Sequence, residues 1–383
     1  MASWISMKEA CALLGVRAQT VYAYVSRGKI EVMPDPADTR RSLYRAEDVA
    51  GLARRKEAGR KHETVAANTL FGAEPSIPTA LSAFSRGRLC YRGQDAVELA
   101  RSATVEEVAQ LLWGAGQAVD FSAPLSPKRM GPPGRVAAFT TMADLAATGH
   151  STHGRLTRVL HTEAQGLVSQ LADAFGAAPG SQPLHLRFAK GWKQPRQVAE
   201  LLRTAMVLLV DHELTSSAFV ARITASTGAS LAACLLAGLT TLSGPLHGDA
   251  SGRVQALFGE VERLGTDAVL EQHLSSGLSF AGFGHHIYPD GDPRAAALLA
   301  LFEPPPVIAR FIEQVTLLTG LQPNIDVALA ALVAHHRLPA DAAFSLFAAA
   351  RSIGLLAHSL EQLEVAQVIR PRGRYVGVAP QMG

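Results

Sequence analysis

The stretch "GFGHHIYPDGDPR", residues 282–294, lies between two apolar helical runs and carries two adjacent imidazoles and a guanidinium. Gly282, Gly284, Pro289, Gly291 and Pro293 supply the backbone angles that break a helix, but they do not account for His285, His286 or Arg294. An imidazole is the side chain most easily tuned to exchange a proton near neutral pH. An arginine can hold a carboxylate through two parallel hydrogen bonds. Further groups of this kind stand at the ends of other apolar runs: His212 in "LLVDHEL", His247 in "SGPLHG", Asp326 in "PNIDVAL", Arg351 in "AAARSIG" and Arg370 in "VIRPRGR". A helix end suits a functional side chain, because unpaired backbone groups there can orient it.

Two of these residues carry sharper expectations. Asp326 follows Pro-Asn at a helix start, where the positive end of the helix dipole favours its ionised form. Arg351, Gly354, His358 and Glu361 share one helix face by their spacing. A charge on so apolar a helix requires an anionic partner, either a ligand or an internal carboxylate such as Glu361 or Asp326. A metal site fails on spacing. His212-Glu213 has no second histidine four residues on, and the adjacent His285 and His286 do not easily face one ion.

The elements that must position these groups read as helices. Of the 383 residues, 48% are hydrophobic and 18% charged, with few aromatics and few alternating β-branched runs, so a mostly α chain with a large core is expected. "TVEEVAQLLW" is an amphipathic helix capped by Thr104. Helical patterns follow at 135–147, 152–177, 195–211, 216–241, 251–263, 294–302, 305–319, 323–335, 340–349 and 351–366. The uncharged run from Ile223 to His247 contains Thr, Ser, Gly and Pro, which favours a buried helix and a turn over a membrane span. The start has no signal-peptide pattern, and the isolated Cys11, Cys90 and Cys234 fit a reducing cytoplasm.

Charge separates the N-terminal segment from the rest. Residues 1–64 hold 12 Lys/Arg against 8 Asp/Glu, and the remaining residues hold 24 against 25. "SMKEACALLGVRAQTVYAYVSRGKI" reads as two short helices around Gly15, the first opened by a Ser6–Glu9 capping box. A basic hairpin arm and a third helix follow. The segment resembles the winged helix-turn-helix of the excisionase and mercury-regulator type, which implies a DNA-facing helix and a backbone-contacting wing. By that resemblance Arg17, Gln19, Thr20, Tyr22, Tyr24 and Arg27 face DNA, and Arg40, Arg41 and Arg45 contact phosphates. The alternative is a small appendage for dimer contacts or regulation. Residues 1–62 form this module, and 63–77 a linker.

From residue 78 onward, "YRGQDAVELARSATVEEVAQLLW", "GPLHG", "GFGHHIYPDGDPR", "PNID", "AHSLEQ" and "RPRGRYVG" occur in the order found in citrate synthases, and the chain resembles that family through its C-terminus. The resemblance implies a two-domain helical fold, with a large domain and a small mobile one at roughly 249–340. It implies a homodimer and condensation of acetyl-CoA with oxaloacetate and water to citrate and CoA. Asp326, His247 and His285 would be the catalytic set, as methyl-proton base, donor to the thioester oxygen and acid for the ketone. His212, Arg294 and Arg351 would hold oxaloacetate, with Arg370 reaching in from the other subunit. Gly282, Phe283 and Gly284 would lie against CoA, which is substrate, with no cofactor or metal required. Propionyl-CoA condensation to 2-methylcitrate and citryl-CoA cleavage use the same residues. A metabolite-sensing DNA-binding regulator is the rival of a different class. The sequence departs from the family at His286, often Arg, at Gly248-Asp249-Ala250-Ser251, often Gly-Gly-Ala-Asn, and at Val327, usually aromatic.

Overall fold

The computed structural model describes residues 3–14, 16, 18–26, 29–36, 38–52, 77–122, 131–365, 367–371 and 377, without the side chains of 18, 19, 23, 26, 39 and 40. Arg17, Arg27, the side chains of Gln19 and Arg40, and all of the linker before Ile77 therefore lie outside the described residues. The chain forms two compact units, one of Met1–Ile77 together with the chain from Pro371 onward, the other of Pro78–Arg370.

In the N-terminal unit, β1 (Trp4–Ser6), α1 (Met7–Leu14), α2 (Ala18–Ser26), β2 (Val32–Asp35) and β3 (Asp38–Arg45) precede residues 46–52, which are helical. The three strands pair antiparallel in the order β1-β3-β2. Ser6 and Glu9 close the capping box at the head of α1, with the Glu9 carboxylate accepting from the Ser6 backbone N–H at 2.8 Å. Ala10, Leu14, Val21, Ile30, Tyr44 and Val49 make a small separate core. Thr20 is partly buried and Tyr22 exposed. Arg41 lies 3.3 Å from Asp38, while Arg45 reaches Glu31 at 2.9 Å and Glu47 at 3.5 Å.

The larger unit is mostly helical. A three-stranded antiparallel sheet, β4 (Ser82–Ser85), β5 (Arg88–Tyr91) and β6 (Gln94–Asp95), leads into α3 (Ala96–Ser102) and α4 (Val105–Trp113). Thr104 caps α4 in a full capping box with Glu107, as its sequence requires. Six helices follow: α5 (Arg135–Thr148), α6 (Thr157–Ala174), α7 (Leu184–Gly191), α8 (Arg196–Leu209), α9 (Ser216–Ser226) and α10 (Leu231–Leu242). The last six are α11 (Ala250–Leu264), α12 (Thr266–Ser276), α13 (Pro293–Leu299), α14 (Pro306–Thr319), α15 (Ile325–His336) and α16 (Ala342–Val365).

Several boundaries differ from those read in the sequence. The single helix expected over 216–241 is two, because the chain turns at Gly228, which has a φ of +78°. The two patterns at 340–349 and 351–366 are one continuous 24-residue helix. It is apolar and long enough to cross a membrane by length and composition, yet it is enclosed by the other helices. The helices α3, α7 and α12 were not anticipated.

Two apolar cores share this unit. The first joins the β4–β5 sheet, α3–α10, α13, α15 and α16; the second joins α11, α12 and α14 with the loop at Phe280–Phe283. The helix α15 serves both. Ile325, Ala328, Leu329 and Leu332 pack into the first, while Val327, Ala330 and Ala331 pack into the second. A helix clamped on two faces has little freedom to rotate, so the side chain of Asp326 at its start is held where the cores meet.

Candidate active site

The residues singled out by type converge around the start of α15. The loop between α12 and α13 turns at Gly282 and Gly284, with φ of +82° and +77°. It runs beside the segment entering α15: the Asn324 N–H donates to the Gly282 carbonyl at 2.9 Å, and the Gly284 N–H to the Gln322 carbonyl at 2.8 Å. A Cβ at Gly282 would stand 2.6 Å from Val254 Cγ2 and 2.7 Å from Val327 Cγ2, so only glycine fits. Between these glycines, Phe283 is buried in the second core.

His212 and His285 sit side by side as neutral groups. His285 stacks on exposed His286 at 5.0 Å between ring centroids, and lies 5.6 Å from the ring of His212. The Ile287 backbone N–H donates to His285 Nδ1 at 3.2 Å, which leaves the ring proton on Nε2. Burial first, and then the Arg294 charge, lower the His285 pKa to about 4. His212 Nε2 shares a 3.1 Å hydrogen bond with the Tyr288 hydroxyl, and Phe84 packs edge-on against its ring. Burial and the charges of Arg294 and Arg351 push His212 well below its ordinary value. His247, just before α11, lies 2.8 Å through Nε2 from the Ser217 hydroxyl. Burial and Arg351 lower it to about 4.

Asp326 corrects the expectation drawn from its helix-start position. Its backbone N–H is capped by the Asn324 side chain at 2.9 Å, but its own Oδ1 is buried without a hydrogen-bond partner among the described residues. Burial raises its pKa to about 7, against the lowering effect of Arg294 and Arg351. The dipole at one helix end is worth about 1 kcal/mol, less than the desolvation of a buried charge. A carboxylate poised near neutrality is a usable general base.

The two arginines are held differently. Arg294, at 3% exposure, is gripped by Asp292 through Nε and Nη2 at 3.0 and 2.8 Å. Against the effect of burial, Asp292 keeps the Arg294 pKa raised. Arg351, at 1% exposure, donates Nε to the Leu209 carbonyl at 2.9 Å and lies 4.9 Å over the Phe347 ring. No carboxylate among the described residues forms an ion pair with it. The internal partners considered from sequence are not its partners: Glu361 pairs with Arg222 at 2.5 Å, and Asp326 stays without a hydrogen bond on Oδ1. His358 Nε2 lies 3.3 Å from Asp211 Oδ1, and the Ser82 hydroxyl donates to the other oxygen of that carboxylate. Burial lowers the Arg351 pKa, so this cation is unfavourable as it stands and a ligand carboxylate would relieve it. Arg370 is exposed and takes no part in the hydrogen bonds or ion pairs of this cleft.

One cluster of side chains therefore unites His212, His247, His285, Arg294, Arg351 and Asp326. Sequence reasoning did not single out Tyr288, Ser217 or Asp292, although Tyr288 and Asp292 lie inside the segment that drew attention first. Gly354 has a structural role on the same helix face as Arg351. A Cβ there would stand 2.3 Å from the Val210 carbonyl and 2.7 Å from Asp211 Oδ1. Gly354→Ala is expected to destabilise the protein by about 2 kcal/mol despite the better helix former, since overpacking outweighs propensity. Thermal unfolding would measure it.

The family described as "Citrate synthase, C-terminal domain" matches residues 172–372, more than half of the chain. The chain belongs to the citrate synthase family. A "Putative citrate synthase 2" of Mycobacterium tuberculosis is 35% identical over 211 residues, covering 51% of this chain and 56% of that protein. The chain thus spans about half the length of that curated relative. A 2-methylcitrate synthase of Shewanella oneidensis is 29% identical over 364 residues, covering 79% of this chain and 93% of that one. Among solved structures, the ternary complex of carboxymethyl coenzyme A and oxaloacetate with citrate synthase from Thermoplasma acidophilum has a TM-score of 0.67 at 19% identity. It covers 82% of this chain and 97% of that chain, and at that identity the likeness is one of fold. The mostly helical architecture expected of a citrate synthase family member is the one observed.

Proposed function

We propose that the protein condenses acetyl-CoA with oxaloacetate and water to give citrate and CoA. The observation that carries this reading is the pairing of Asp326, poised near pH 7 with an unpartnered oxygen, with a buried Arg351 that has no carboxylate of its own. In this reading Asp326 takes a proton from the thioester methyl group, and His247 donates a hydrogen bond to the thioester oxygen as it gains charge. One such donor is worth about 3–4 kcal/mol. The carbon attacks the ketone of oxaloacetate, whose oxygen takes a proton from Nε2 of neutral His285. Water then cleaves the citryl thioester. Arg351, Arg294 and His212 hold the dicarboxylate so that its ketone faces the nucleophile.

Gly282–Gly284 would receive CoA, and Arg370 would complete the site of a second subunit in a homodimer. The region around 249–340 would be the small domain that closes over the ligands. Residues 1–62 would be a winged helix-turn-helix, a reading supported by two short helices followed by an antiparallel hairpin. DNA is its proposed partner, and the cytoplasm the proposed location. The Shewanella relative favours a second reading, propionyl-CoA to 2-methylcitrate, and cleavage of citryl-CoA would use the same groups in reverse.

The test is CoA release from acetyl-CoA, with and without oxaloacetate, followed by thiol trapping beside an Asp326→Asn control. Oxaloacetate-dependent release that disappears in the variant is expected. Absence of release from acetyl-, propionyl- and citryl-CoA alike would overturn the enzymatic reading and leave a regulator as the reading to test.

A further inference from the structure

Asp292 stands outside the catalytic set, yet it is the hub of the cleft's hydrogen bonding. Its Oδ1 accepts from the backbone N–H and the Nε of Arg294, both at 3.0 Å. Its Oδ2 accepts from Arg294 Nη2 at 2.8 Å and from the backbone N–H of Ile325 at 3.0 Å. Ile325 is the first residue of α15 and immediately precedes Asp326. One carboxylate, at 3% exposure, therefore joins the guanidinium of Arg294 to the turn that carries Asp326.

Resting on the condensing function above, we propose that Asp292 is a positioning residue: it locks Arg294 to the first turn of α15 and offsets the Arg294 charge, so that Asp326 remains basic. Without that offset, a guanidinium beside a buried carboxylate stabilises the ionised form and weakens it as a base. The contrast with Arg351 supports the assignment, since Arg351 has no such carboxylate and is left to meet a ligand. The charged groups facing Asp326 are Arg294 and Asp292 from the start of α13 and Arg351 from α16, with the Ser251 backbone from α11. Burial is the largest cause of the raised Asp326 pKa; among the charges, Asp292 raises it further and the two arginines lower it.

The experiment reads the acidity of Asp326 without substrate. The gain in unfolding stability caused by Asp326→Asn is measured from pH 5 to 9, by chemical denaturation, in the wild-type and Asp292→Asn backgrounds. In the wild type the gain should level off near pH 7, where Asp326 titrates. In Asp292→Asn it should level off about one pH unit lower, and the acid limb of kcat should move the same way. A purely structural role for Asp292 would lower stability and leave both positions unchanged, and that result overturns the proposal. Arg294→Gln provides the opposite sign: with Asp292 unopposed, levelling off should move above pH 7. If Asp292→Asn does not fold, the double variant Asp292→Asn/Arg294→Gln, which removes both buried charges, is set beside Arg294→Gln: it should level off at lower pH, and an equal position counts against the proposal. Should the wild type release no CoA, the condensing reading falls, while the stability curves still decide whether Asp292 sets the basicity of Asp326.

Discussion

Replacing Asp326 by Asn is expected to cut turnover by about a thousandfold or more while making the protein more stable at neutral and alkaline pH. The two effects share one cause. Asp326 is 8% exposed, and burial moves its pKa from 3.8 to about 7. Between those values the folded protein holds a proton that the unfolded chain has released, so wild-type stability falls as pH rises across this window. Below the unfolded value the favourable contribution is fully present, and above pH 7 it has been lost. The full displacement corresponds to about 4 kcal/mol. Asparagine is nearly isosteric and carries no charge, so the variant escapes this loss. Its advantage over the wild type should grow by about 1.4 kcal/mol per pH unit up to pH 7 and then stay level. Denaturation curves from pH 5 to 9 would show it, and a flat difference would mean that Asp326 titrates as an ordinary carboxylate.

The second large effect is expected at Arg351. Arg351→Met keeps most of the side-chain volume against Phe347 and removes a buried charge with no carboxylate within ion-pair distance among the described residues. The loss of its hydrogen bond to the Leu209 carbonyl costs about 1 kcal/mol. Relief of the unpaired cation outweighs that cost, and a net gain of about 1 kcal/mol in the ligand-free protein is expected. Catalytic efficiency should move the other way. A carboxylate that binds at Arg351 would lose a charge-assisted, desolvated contact, lowering kcat/KM for oxaloacetate by about a thousandfold. Unfolding without ligand, set beside steady-state kinetics, separates the two. A protein less stable and still fully active would show that Arg351 serves the fold and not the substrate.

Both predictions place residues of the proposed site where they cost stability, a general feature of sites built to meet a ligand. The electrostatics follow from how the two cores meet. The helix α15 is buried along Ile325–Val333, so the carboxylate at its start has burial imposed on it by the packing of its neighbours. The same packing lowers His247 and His285 to about 4 and keeps these rings neutral donors at working pH. Two neutral imidazoles, one near-neutral carboxyl and two fixed guanidiniums are what the proposed enolisation beside a bound dicarboxylate would require.

Much of this was open to reading along the chain. The capping boxes at Ser6 and Thr104 are local, each made by residues three apart, and they form as their spacing requires. Helix-forming composition announced a mostly α protein, and the residue types at His212, His247, His285, Arg294, Asp326 and Arg351 raised the expectation of proton transfer and carboxylate binding on which the proposed function rests. What the sequence by itself determined, then, was which side chains are of types able to move a proton or hold a carboxylate and which segments turn helical, because residue type is given directly and helix formation depends on neighbours a few residues away. Tertiary structure alone decided how those side chains are charged and whom they meet. Asp326 is pushed towards neutrality although its helix-start position favours ionisation, because desolvation comes from chains remote in sequence. Glu361 pairs with Arg222, 139 residues back along the chain, and is not available to Arg351. Asp292 shows the limit most clearly: its bond to Arg294 spans two residues, but its bond to Ile325 spans 33 and exists only after α13 and α15 have packed.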